Sequence, residues 1–158
     1  MSGYADGEAL ILTALRGHAN YNGNNPSRAD WKILNSGKAA YYVVLRPGPF
    51  EVEVQSLGGI GSSATATEHI HWMTQLMVYQ RYIDDSTTAT NLQARVVEII
   101  GQIQKWRRLA DTGDTIIRAR VTSGSEVVPV QQEDNWPLYL RWIINVNWDE
   151  EITITFSE

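Results

Sequence analysis

One long stretch of this chain keeps a helical period without a break, and it limits what the rest can be arranged around. Between Thr88 and Ala110, the residues Leu92, Val96, Ile99, Ile103, Trp106 and Ala110 recur every three or four positions. That spacing places them on one stripe, widened by Ala89 and Ile100, while Gln93, Arg95, Glu98, Gln102, Lys105 and Arg108 fall elsewhere on the wheel. The segment predicts an amphipathic helix of about six turns with one face to bury. Thr90 and Gln93 read as a capping box, and Asp84, Asp85 and Ser86 offer an earlier start. Lys105, Arg107 and Arg108 suit the negative end of the helix dipole, and Asp111-Thr112-Gly113-Asp114 supplies the stop. Gly101, with Ala94 and Val97, makes a strip of small side chains: either a close approach for another backbone or a tolerated surface glycine.

A helix with one apolar face needs a surface to cover, and alternating segments supply it. Ala39 to Arg46, with Tyr41, Tyr42, Val43, Val44 and Leu45, fits a pleated surface and stops at Pro47-Gly48-Pro49. Phe50, Val52 and Val54 then alternate with Glu51, Glu53 and Gln55, which predicts a strand with a dry face and a wet acidic face, joined to the first as a hairpin. From Thr67 to Tyr82 a long strand carries Ile70, Trp72, Thr74, Leu76 and Val78 on one side and His69, His71, Met73, Gln75, Met77 and Tyr79 on the other. After the long helix come Thr115 to Thr122, then Leu138 to Trp148, and, past an interruption at Asp149-Glu150-Glu151, a last alternation through Ile152, Ile154 and Phe156. Ahead of all these, Gly7 to Arg16 reads as a short helix capped by Asp6 and ended by Gly17.

Three connecting segments have loop composition. Residues 18–36 are rich in Asn, Gly, Ser and Pro with Trp31, Ile33 and Leu34 as anchors, residues 56–66 hold Gly58, Gly59 and Gly61, and residues 123–137 contain Pro129 and Trp136. All three are expected to be mobile loops of a single domain spanning residues 1–158. The fold class is α+β: a mostly antiparallel twisted sheet packed by one long amphipathic helix and one short N-terminal helix.

A chain of 158 residues, 43% of them hydrophobic, can bury a core without staples. No apolar run approaches the roughly 18 residues of a membrane span. The start has no basic region and its apolar run is too short for a signal peptide, so export by that route is not expected. With no Cys, there are no disulfides, thiolate metal sites or cysteine nucleophiles. A net charge of −5 argues against a surface dedicated to gripping phosphates.

Catalytic chemistry has little to work with. His69 and His71 share a strand face, but a metal needs a third and usually a fourth ligand, and His18 is the remaining histidine. Asp111-Thr112-Gly113-Asp114 superficially resembles an aspartic-protease triplet without its twin and reads as a turn. Glu133-Asp134 and Asp149-Glu150-Glu151 read as solvated loop charge. Arg107, Arg108, Arg118 and Arg120 beside Trp106 suit a phosphate backbone or an acidic subunit surface. The expectation is a non-enzyme with no cofactor and no metal.

The order of elements carries more information than any of these. A short helix is followed by Trp31-Lys32-Ile33-Leu34, by Ala39-Ala40-Tyr41-Tyr42-Val43-Val44, by a strand ending in Tyr82-Ile83-Asp84-Asp85, then by the long helix and a final strand from Leu138 to Trp148. That layout resembles the tail terminator (tail completion) proteins of long-tailed phages over nearly the whole chain. The resemblance implies a small α/β virion protein that forms a hexameric ring on the last ring of the tail tube, stops its growth and offers a surface to the neck. Its partners would be other copies of itself, the tail-tube protein and a neck or connector protein, with DNA as passing cargo and no membrane. Its place would be the tail/neck junction of the virion, and the host cytoplasm during assembly.

On this reading the loops order against neighbours. Leu57, Gly58, Gly59, Ile60 and Gly61, with Val127, Val128, Val130 and Trp136, are the candidate ring and partner contacts. Glu51 and Glu53 are candidates to face the channel, where like charge repels the phosphates. The alternatives are a neck or head-completion connector and, from another class, a small-ligand or metal-binding domain using His69 and His71.

Overall fold

Two strands of 17 residues each set the frame, because at about 3.4 Å per residue each reaches roughly 55 Å, while a 21-residue helix reaches about 32 Å. The computed structural model describes residues 4–21, 27–28, 40–58, 65–105, 116–131, 134 and 137–156. In chain order these form α1 (Tyr4–Arg16), a 3-10 turn (Ala19–Tyr21), β1 (Ser27–Arg28), β2 (Tyr41–Pro47), β3 (Glu51–Gly58), β4 (Thr65–Arg81), α2 (Asp85–Lys105), β5 (Ile116–Gly124), β6 (Val128–Val130) and β7 (Tyr139–Thr155). The strands make one sheet in the order β1-β2-β4-β7-β5, with β3 also on β4 and β6 also on β7. Pairing is antiparallel apart from the two-residue β1, which runs parallel to β2. The expected architecture is present: an α+β domain whose mostly antiparallel sheet is packed by one long helix and one short N-terminal helix.

β4 and β7 pair along their whole length, from Thr65 opposite Thr155 to Arg81 opposite Tyr139. Against the other side of β4, β2 takes residues 74–80 and β3 takes residues 65–71. β2 and β3 therefore run in the same direction, one after the other, and do not form the hairpin expected from Pro47-Gly48-Pro49. The Gly48 N–H still donates to the Met73 carbonyl at 2.8 Å, so the two prolines interrupt the ladder without turning the chain. The far side of β7 repeats the device, with β5 and β6 in line on it. Residues 128–130, expected in a mobile loop, are that second strand.

The long helix buries Leu92, Val96, Ile99 and Ile103 as its period demands. Ile100 packs against the same core, whereas Ala89 is exposed, and Thr88 is buried in its place, where its Oγ1 accepts from the Ile83 N–H. The cap is Asp84, whose Oδ1 accepts from the Thr87 N–H at 2.7 Å, so Thr90 and Gln93 lie inside the helix and make no capping box. The backbone bond from Thr87, then the bond from its hydroxyl, holds the Asp84 carboxyl below the ordinary carboxylate range. The predicted continuation through Trp106 to Ala110 lies outside the described residues. α1 begins at Tyr4, which puts Asp6 within the helix and not at its cap.

Ile11, Leu12, Ala14 and Leu15 of α1 join the α2 stripe over Val43, Leu45, Leu76, Val78, Ile144, Val146 and Trp148 of the sheet. The two helices are tied by Gln102, buried, whose Nε2 donates to the Ala14 carbonyl at 2.7 Å near the end of α1. On the opposite face of the sheet, Tyr42, Val44, Met77, Tyr79 and Tyr139 form a second, smaller cluster. Both faces of the central strands are thus apolar in their upper half, as the two semi-apolar sides of β4 predict. No helix among the described residues is long and apolar enough to cross a membrane.

Candidate functional site

Gly7 of α1 lies against the ring of Trp148, in the Trp72 row, and the sheet continues beyond that row. This lower half is built from β3, residues 65–73 of β4, residues 147–155 of β7 and the first residues of β5, and its two faces differ sharply in chemistry. Register places Val52, Ile70 and Glu150 in one row, and Glu51, His71 and Asp149 in the next, so successive rows alternate between the faces. On the face continuous with the helix-covered core lie Phe50, Val52 and Val54, which are 58%, 52% and 55% exposed. The dry face expected for β3 is therefore apolar but uncovered. Phe50 lies against Trp72, which in turn stacks on Trp148, so the exposed strip is a direct extension of the core. Ile154 and Phe156 add further exposed apolar surface near the end of β7.

The other face is a row of histidine–carboxylate contacts. The two ring nitrogens of His71 meet Asp149 Oδ1 at 2.7 Å and Glu53 Oε2 at 3.1 Å, joining β3, β4 and β7 through one imidazole. His69 Nε2 lies 2.9 Å from Glu151 Oε2. Hydrogen bonding to Asp149, and next to Glu53, favours the imidazolium, so the pKa of His71 is raised above the ordinary 6.5. The histidines are turned to different carboxylates, and among the described residues no group of three or more His, Cys, Asp or Glu side chains could hold a metal ion.

Asp149-Glu150-Glu151 does not interrupt the last strand, and its charges are not those of a solvated loop. The alternation passes straight through: Asp149 and Glu151 reach the histidines, and Glu150 falls on the core face, where it is 2% exposed. The signal was available in the parity of Trp148, Glu150, Ile152 and Ile154, which a local charge run masks.

The remaining candidates divide. Leu57 and Gly58 close β3 at its far end, opposite Ala66 and Thr65, so residues 56–58 and 65–66 are strand and not loop. Gly59, Ile60 and Gly61 lie outside the described residues, as does Trp136. Val127 is exposed, whereas Val128 and Val130 are strand residues paired with Arg141 and Tyr139, and Val130 packs toward the second cluster. Those two valines belong partly to the molecule's own packing, which weakens them as contacts for a neighbour. Residues 19–21 of the first predicted loop are a 3-10 turn whose buried Tyr21 donates to Glu98 at 2.9 Å, and residues 27–28 are β1. Trp31, Ile33, Leu34, Arg107, Arg108, Asp111-Thr112-Gly113-Asp114 and Glu133 lie outside the described residues.

Sequence reasoning missed a groove of about 300 Å³ between α2 and the β5 side of the sheet, lined by Val96, Ile100, Val121, Trp142 and Ile144 among others. Its only signal was the breadth of the apolar stripe around Ile100. No family model matches the chain, and a comparison with curated proteins finds no match.

Proposed function

We propose that this protein is a tail terminator of a long-tailed phage, a ring subunit that occupies the growing end of the tail tube, stops its polymerisation and presents the surface to which the neck attaches. The observation that carries the reading is the lower half of the sheet. An exposed strip containing Phe50, Val52 and Val54, continuous with the core, is a surface that a monomer rarely leaves bare. Ordered strands with one apolar and one charged face suit a subunit completed by neighbouring copies and by a flat tube end. Capping of this kind is steric: the ring covers the acceptor surface of the last tube ring and offers a different one.

The test is the length distribution of tubes assembled from the cognate tail-tube protein, imaged with and without this chain. Shorter tubes carrying an extra ring at one end are the expected result. Unchanged lengths with no end ring would overturn the capping role, and binding to the isolated connector in that case would place the chain in the neck.

A further inference from the structure

The two edges of the sheet are complementary to each other, and we propose that β3 of one copy adds to β5 of the next as an antiparallel strand, building the ring edge to edge. The proposal deepens the ring reading above and rests on it for closure into a ring. Among the described residues β3 pairs with β4 alone and β5 with β7 alone, so each has an outer row of backbone groups facing away from the sheet.

Direction fits first. β3 is antiparallel to β4, β4 to β7, and β7 to β5, so β3 and β5 of one molecule run in opposite directions. A second copy in the same orientation, set beside the first, therefore meets β3 with an antiparallel β5 and keeps the same face of the sheet toward the helices. That is a heterologous contact, the kind that generates rings when the rotation closes.

Charge fits next. β3 carries Glu51 and Glu53 two residues apart, and β5 carries Arg118 and Arg120 two residues apart. Glu51 and Glu53 sit in register with His71 and His69, and Arg118 and Arg120 with Asp149 and Asn147, so all four positions belong to the polar face. One antiparallel register sets Glu51 opposite Arg120 and Glu53 opposite Arg118, at the spacing where cross-strand pairs interact. Two β3 edges would oppose carboxylates and two β5 edges would oppose guanidinium groups, so like edges repel and unlike edges attract.

The apolar face completes the match. In that register Phe50 of one copy falls opposite Val121 of the next, which lines the groove beneath α2 with Val96, Ile100 and Trp142. The half-exposed strip on β3 and the groove of about 300 Å³ beside β5 then cover each other.

Native mass spectrometry of the full chain tests this through a charge exchange. Wild type is expected to form closed oligomers. E51R/E53R and R118E/R120E, each alone, place like charges across every contact and are expected to associate roughly 100-fold more weakly, with unchanged far-ultraviolet circular dichroism. Mixed one to one, each variant offers the edge the other lacks, and assembly is expected to return with both chains in equal number. A wild type that stays monomeric at the highest concentration it tolerates, a single variant that assembles like wild type, or a mixture that fails to reassemble would each overturn the proposal. Tube lengths separate it from the capping role. A mixture that reassembles but leaves tubes unshortened removes the terminator reading and keeps the interface, whereas variants that shorten tubes as well as wild type remove the interface alone.

Discussion

Gly7 is the residue at which one atom matters most. A Cβ built there would overlap the ring of Trp148, itself fully buried at the centre of the core. Gly7→Ala is expected to lose about 1–3 kcal/mol in urea denaturation, because either α1 or the buried tryptophan must shift to admit the methyl group. At His71 the consequence is electrostatic. Its folded-state pKa is raised, so its contribution to stability is full below about pH 6.5 and fades as the pH climbs through the folded value. An NMR titration should therefore give a His71 midpoint above that of a free histidine, and Asp149→Asn should bring it down. A midpoint unchanged by that substitution would mean that the 2.7 Å contact does not govern the imidazole. The pairing of these residues was half legible: the sequence places the histidines on one strand face, but their carboxylate partners come from strands whose register no local pattern specifies.

Among the elements, α2 was the most readable, since Leu92, Val96, Ile99 and Ile103 are buried by a period that needs no tertiary information. Its outer side answers the question raised by the small residues. Gly101 has nothing within 4 Å of an added Cβ, and Val97 is 67% exposed, so among the described residues no backbone approaches that strip. Gly101→Ala should accordingly raise stability by about 1 kcal/mol, measured by the denaturation midpoint. The β2–β3 junction was unreadable for the opposite reason. Pro-Gly-Pro announces a break in pairing, but whether the chain reverses or carries on depends on β4, a strand long enough to accept both segments. The exposure of Val52 and Val54 was equally hidden, because alternation tells which residues share a face and not how far a helix extends over it.

At the scale of the whole molecule, the proposed function assigns folding to the helix-packed half and assembly to the other. Deleting residues 57–65 removes the last rungs of β3 on β4 and should lower the melting temperature, but it should leave the helical circular dichroism in place, since the core residues of α1, α2 and the upper sheet lie elsewhere, while on the proposed reading it abolishes ring formation and tube capping. A variant that still capped tubes would remove that end of the sheet from the assembly contacts. The central pair of strands has a different consequence. Thr65 must find Thr155, and every rung of that ladder joins residues on opposite sides of α2 in the sequence. Helices form in about a microsecond or less, but pairings this distant wait on the search of a long loop. The slow event in the life of each chain is therefore the zipping of its own spine, and stopped-flow refolding should show helical signal arriving well before the tryptophan signal of Trp72 and Trp148.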